Sequence, residues 1–405
     1  METVTPTDPR DEARARGAEY ARFHASLATR RAPATPVLLA VMVGLFALQS
    51  YWGDSASIAT SVRMGAVAPG EAYGQPWRLL AYALLHVNLQ HLLANGVSLL
   101  SLGSFYERLL GTGRFLVVFT LAALGGGLAA RLVGAQSVMV GASGAIWGLL
   151  GVSSALALRP GDTLPAEVQA NFRRSTATNM AIQVFVSFLP GVSWQAHFGG
   201  GLVGFALMLT GLVRPSEARR AVWGVAGGLG ALALAGAMAA ALAVGRPWEL
   251  GEPPALHAEA LVGTTLTLDL PARPRVEGSG EAREYVAGDA LVDGFVVSVR
   301  VAPHTFPATA EQLPGLAAET LAGLSSVALG EGMTADGAAR RERLADGTVM
   351  VARDFGMANN TRLERRIAVR PGELVIVDVA RRRDDARTLE LGQRILVSVR
   401  DGAPR

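Results

Sequence analysis

At 405 residues the chain is long enough for two domains. Half of it is hydrophobic and only 18% is charged, too apolar for an ordinary soluble domain with about 25% charged residues. It has no cysteine, which excludes disulfides, zinc thiolate sites and a thiol nucleophile, and its formal charge of +3 comes without the basic, aromatic-interleaved stripe that nucleic acid requires.

The apolar residues crowd between about Val37 and Val244, which predicts a membrane core with soluble flanks. Residues 1–35 alternate acids and arginines and read as a solvated or partly disordered cytoplasmic tail. They lack the charged n-region and apolar h-region of a cleavable signal peptide. Seven apolar runs of about spanning length follow, at 36–51, 79–103, 115–133, 138–158, 178–189, 194–213 and 221–244. The fifth is the shortest. Arg30 and Arg31, then Arg108 and Arg114, then Arg159, Arg173 and Arg174, then Arg214, Arg219 and Arg220 lie in alternate loops. The opposite loops carry only Arg63, Arg78, Arg131 and Arg246. The positive-inside rule then places the N-terminus in the cytoplasm and the segment after the seventh run outside.

After Arg246 the pattern changes. Strands are predicted at 266–270, 295–301, 348–355, 362–369, 373–380 and 395–400, where apolar and polar residues alternate. A helix is predicted to start at Thr309, with Gln312 completing a capping box, and a second over 384–394. Antiparallel strands with one or two helices make a small α+β domain. Its order of elements loosely resembles PsbP-like domains. The expected organisation is a tail over 1–35, a six-helix core over 36–213, a seventh helix within 214–246 and the α+β domain over 247–405. No catalytic cluster falls in that last domain, and nothing in its sequence names a partner.

Polar side chains inside membrane spans are expensive and point to function. His86, His91, Asn95, Ser143 and His197 fall on three of the runs, all near the outer halves. Ser143 stands near a predicted helix start, where backbone N–H groups lack intrahelical partners, and Gly141 and Gly144 leave it uncovered. His91 and Asn95, four apart, share a helix face and could add donors for an oxyanion. His197 is the candidate base, and Gly200 and Gly204 on its face let its helix approach that of Ser143. No carboxylate lies in these runs, so a Ser–His dyad is expected rather than a triad. Trp147, one turn after Ser143, either stacks on the imidazole or packs against lipid or the core. Alone, Ser143 reads as a small residue for helix packing, and His197 equally as an interhelical hydrogen bond or a catalytic base. Together and in order they read as chemistry. The glycine runs at 125–127 and 227–230 read as packing faces, since no strand precedes them and no lysine follows. No metal or cofactor is called for.

The segment His86-Val87-Asn88-Leu89-Gln90-His91 through Asn95, then Gly141-Ala142-Ser143-Gly144, then Ala196-His197-Phe198-Gly199-Gly200, in this order on alternate helices, resembles the rhomboid family of intramembrane serine proteases. Gln75-Pro76-Trp77-Arg78 resembles the family's first-loop element, and Glu107-Arg108-Leu109-Leu110-Gly111 the segment after its second helix. The resemblance covers about 36–213, with Phe119 where tyrosine is frequent. It implies Ser143 as nucleophile, His197 as base, His91 with Asn95 as oxyanion stabilisers, and structural roles for His86, Trp77, Arg78 and Glu107. It also implies a six-helix core with the seventh helix of some members. The implied substrates are membrane proteins cut in their transmembrane segments within the lipid bilayer, and the location that fits is a bacterial inner membrane. Two other readings stay open: a non-catalytic rhomboid-like protein that binds client helices, and a membrane-anchored protein acting through its outer domain.

Overall fold

The computed structural model describes residues 9–68, 75–134, 138–159, 163–216, 219–251, 255–264, 266–277, 283–288, 295–303, 312–343, 348–357, 361–370, 372–383, 388 and 391–401. The chain divides into two compact units, Met1–Trp248 and Glu249–Arg405.

In the first unit the described part of the tail is largely helical. It forms α1 (Pro9–Ala28), whose alanines, arginines and glutamates are good helix formers. After it come α2 (Ala34–Trp52), α3 (Ile58–Arg63) and α4 (Arg78–Ala81), the last running into a 3₁₀ turn at Tyr82–Leu84. The second apolar run is therefore not one helix from 79 to 103. The chain is extended at Leu85 and Asn88, and a new helix starts where the Asn88 side chain accepts the His91 N–H at 2.8 Å. That helix is α5 (Leu89–Ser98), a π-helical stretch over Leu99–Gly103 and α6 (Ser104–Leu110) in succession. His86 consequently lies in the link before α5 and not in a helix.

Gly111 turns the chain into α7 (Thr112–Leu132), followed by α8 (Ser143–Leu158), α9 (Ala166–Ser187), α10 (Trp194–Leu209) and α11 (Arg220–Gly245). The fifth run proves longer than its apolar core, because α9 begins twelve residues before 178. Arg173 and Arg174 thus lie within this helix rather than in a loop. α8 packs against α7, α9 and α10, and α11 packs against α7. Exposed Leu93, Val97, Leu202, Leu229 and Leu232 stud the outside of the unit, the inverse of a water-soluble surface. By length and composition α2, α7 and a helix over Arg220–Leu250 can cross a membrane, and α8 is a shorter apolar helix.

The second unit is built on two antiparallel sheets. β1 (His257–Ala260), β2 (Leu266–Leu270) and β11 (Arg400–Asp401) form one, in the order β1-β2-β11. The other runs β3-β4-β5-β10-β9-β8-β6, with β7 also on β8. Its strands are β3 (Arg275–Glu277), β4 (Arg283–Ala287), β5 (Phe295–Pro303), β6 (Thr334–Ala335), β7 (Arg340–Arg343), β8 (Val349–Met357), β9 (Thr361–Arg370) and β10 (Glu373–Arg382). On β5, Phe295, Val297, Val299 and Val301 are buried on one face of the sheet with Val375, Val377 and Val379 of β10. The other face is covered by α12 (Leu313–Gly330) through Ala317 and Leu321. That helix is also apolar and long enough to cross a membrane, but it spends this apolar stripe on the sheet. It begins at Leu313 with no side-chain cap from Gln312, and Thr309 lies outside the described residues.

The last expected strand is a correction. Residues 391–397 form α13 (Leu391–Val397), because Leu391 and Ile395, four apart, bury together against the sheet. Of the helix expected over 384–394, residues 384–387 and 389–390 lie outside the described residues.

Candidate active site

Ser143 is the first residue of α8, and the chain before it is held in place by backbone bonds. Met139 and Val67 exchange N–H···O bonds of 2.8 and 3.1 Å, and the Gly141 N–H donates to the Tyr82 carbonyl at 2.9 Å. Gly141 has φ +122°, a conformation that side-chain-bearing residues rarely adopt. A Cβ there would stand 2.6 and 2.7 Å from His91 Cε1 and Nε2, and 3.6 Å from Asn95 Nδ2. The polar ends of His91 and Asn95 thus lie against the glycine two residues before Ser143. Asn95 Nδ2 also donates to the His91 carbonyl at 3.1 Å.

His197 sits in the first turn of α10, which Ser193 caps by accepting the Ala196 N–H at 3.3 Å. His197 is 4% exposed, and its ring stacks on Trp147, with centroids 5.2 Å apart and planes 19° apart. Backbone contact between α8 and α10 explains this closeness. A Cβ on Gly200 would collide with the Gly144 carbonyl, and one on Gly204 with that of Gly148. The two helix starts are therefore neighbours, as Gly144 beside the Ala196 carbonyl also shows. Of Gly125–Gly127 on α7, the first two lie against α10 and the third against Leu79 of α4.

The structure adds a residue that the sequence reading missed. Ser187, the last residue of α9 and fully buried, bonds His197 Nδ1 through its Oγ at 2.7 Å. The signal was available: Ser187 is a hydroxyl inside the fifth apolar run.

The other expected residues surround this cluster. His86 is fully buried, its ring edge-on to His91 at 5.1 Å, and its backbone N–H donates to Gln49 Oε1 at 3.2 Å. Arg78 Nη1 donates to the carbonyls of Val62 and Ala66 at 2.5 and 2.9 Å, and Nε to Gln75 Oε1 at 2.8 Å. It ties α4 to the loop that leads to Val67. Trp77 is half-buried immediately before α4. Glu107, fully buried on α6, accepts the N–H groups of Ala34 and Thr35 and the hydroxyls of Thr35 and Thr112, each at 2.8 Å. Its carboxylate thereby caps the start of α2.

Residues 73–214 match the Rhomboid domain family model. The chain belongs to the rhomboid family, and with its long apolar helices it is an integral membrane protein. It is 35% identical over 144 residues to RHOMBOID-like protein 5 of Arabidopsis thaliana, covering 35% of this chain and 46% of that one. It is 31% identical over 177 residues to rhomboid protease GluP of Bacillus subtilis (strain 168), covering 42% and 33%. Against the rhomboid protein YdcA of the same organism it is 34% identical over 140 residues, covering 34% and 68%. The chain thus spans less than half the length of the first two relatives. The solution structure of cyanobacterial PsbP from Synechocystis sp. PCC 6803 aligns with 36% of this chain and 93% of its own, at 13% identity and a TM-score of 0.29, too slight a likeness to carry an argument.

Proposed function

We propose that this chain is a rhomboid-type serine endopeptidase that cuts transmembrane segments of other membrane proteins through a Ser143–His197 dyad. The observation that carries the reading is the His197 ring stacked on Trp147, with α10 and α8 in backbone contact at Gly144. Ser143 Oγ attacks a peptide carbonyl while His197 takes its proton. The C–N bond then breaks and the proton passes to the leaving amine. Water, deprotonated by the same imidazole, attacks the acyl group, the ester C–O bond breaks, and the proton passes from His197 to Ser143 Oγ to regenerate the dyad. His91, Asn95 and the free N–H groups at the start of α8 supply donors for the oxyanion, each typically worth about 3–4 kcal/mol in the barrier.

Arg30, Arg31, Arg159, Arg214 and Arg219, which lie outside the helices on one side of the alternation, support a cytoplasmic N-terminus and an extracytoplasmic domain over 247–405. A reporter fused after Arg405 is expected to respond outside the cytoplasm. The dyad is tested by reacting the purified chain in detergent with a fluorophosphonate probe. Wild type is expected to label, and Ser143→Ala and His197→Ala are not. A folded wild type that does not label refutes proteolysis and favours client binding.

A further inference from the structure

Ser187 has one hydroxyl proton and two neighbours within bonding distance. Its Oγ lies 2.7 Å from the Gln183 carbonyl and 2.7 Å from His197 Nδ1. A carbonyl can only accept, so the bond to Gln183 takes the hydroxyl proton, as serine commonly does to the carbonyl one turn back. Ser187 Oγ is then left with lone pairs, and the bond to His197 has to be donated by Nδ1–H. A neutral imidazole carries one N–H, so Nε2 is the bare nitrogen.

We infer that Ser187 is a positioning residue that holds His197 in the Nδ1–H form, with Nε2 free to take a proton. The inference rests on the dyad reading for its catalytic meaning. It fills the place that a carboxylate holds in a Ser–His–Asp triad, orienting the ring and fixing its tautomer. When Nε2 becomes protonated, Nδ1–H keeps its acceptor, so the same bond serves both protonation states. Ser187 is fully buried, so water cannot readily replace it. A carboxylate in its position would bring a formal charge into an apolar helix bundle, which the hydroxyl avoids.

The test uses the full-length chain in detergent micelles. Cleavage of a model transmembrane substrate is measured for wild type, Ser187→Ala and Ser187→Thr. Loss of one partner of a buried hydrogen bond predicts a fall in kcat of about 10- to 100-fold for Ser187→Ala, with KM little changed. Threonine, which restores the hydroxyl, returns most of that loss. Separately, nitrogen-15 spectra of histidine-labelled protein, assigned with His197→Asn, are expected to show His197 protonated on Nδ1 in wild type. A wild-type His197 protonated on Nε2 overturns the inference, as does Ser187→Ala with wild-type kcat in a preparation whose wild type labels with fluorophosphonate. A wild type that fails to label but shows the Nδ1–H form overturns the protease reading and with it the positioning role, while supporting the hydrogen-bond assignment.

Discussion

Gly141→Ala is the sharpest perturbation of the proposed oxyanion site. At φ +122° an alanine carries backbone strain of about 1–3 kcal/mol. Its Cβ would also stand 2.6–2.7 Å from the His91 ring, where carbon contacts are ordinarily about 3.5–4.0 Å. The imidazole has to retreat by roughly 1 Å, and a misplacement of that size in a catalytic constellation can lower the rate about 100-fold. The assay is kcat and KM for a model transmembrane substrate in proteoliposomes, beside fluorophosphonate labelling. Gly141→Ala is expected to lower kcat about 100-fold with KM little changed. Because the effect acts through His91, Gly141→Ala combined with His91→Ala is expected to be no slower than His91→Ala alone. Wild-type kcat in Gly141→Ala, or fully additive losses in the double variant, would refute the reasoning.

Glu107→Ala leaves four donors of α2 and α7 without their acceptor and is expected to destabilise the membrane unit by about 3–5 kcal/mol, read as a lower midpoint of unfolding in micelles. Gly204→Val forces α10 away from the Gly148 carbonyl, so fluorophosphonate labelling is expected to fall even where the protein remains folded. In the second unit, burial pushes the Asp354 carboxyl up, but bonds from Arg340, Arg362 and Arg366 prevail and hold it below its ordinary 3.8. A depressed carboxylate stabilises fully above its unfolded-state value and loses that contribution as pH falls through its folded-state value. The sheet is therefore expected to weaken below about pH 4, with Asp354→Asn flattening that acid dependence in urea unfolding followed by circular dichroism.

The long apolar helices were legible because composition alone dictates them, as in α2 and α11. The break before α5 was not, because Leu84 and Leu85 continue the apolar run. It is set by the Asn88 cap and by contacts with distant residues such as Gln49. Strands β5, β8, β9 and β10 announced themselves by alternation, whereas β7, with the charged run Arg340–Arg343, shows none. Ile395 misled for a simple reason: Ile395, Val397 and Val399 alternate like a strand, while Leu391 and Ile395 satisfy a helix equally well. At the site, Ser143, His197, His91 and Asn95 stood out as polar groups in apolar surroundings. Ser187 has the same character, but its role depends on which way its single proton points, and that follows only from Gln183 and His197 together.

The serine-to-imidazole bond has an electrical consequence. On the proposed reading, the Ser143–His197–Ser187 chain of two hydroxyls and one neutral imidazole carries no formal charge at rest. The reaction creates one positive and one negative group in adjacent helix starts, and their sum stays zero throughout the cycle. Added salt therefore has little net charge to screen at the reacting centre, and because the proton moves only about 3 Å of a bilayer core about 30 Å thick, a voltage acts on only about a tenth of a charge crossing. The chemical step is expected to run at nearly the same rate in a polarised and a depolarised membrane, which leaves ionic conditions to act on how substrates arrive.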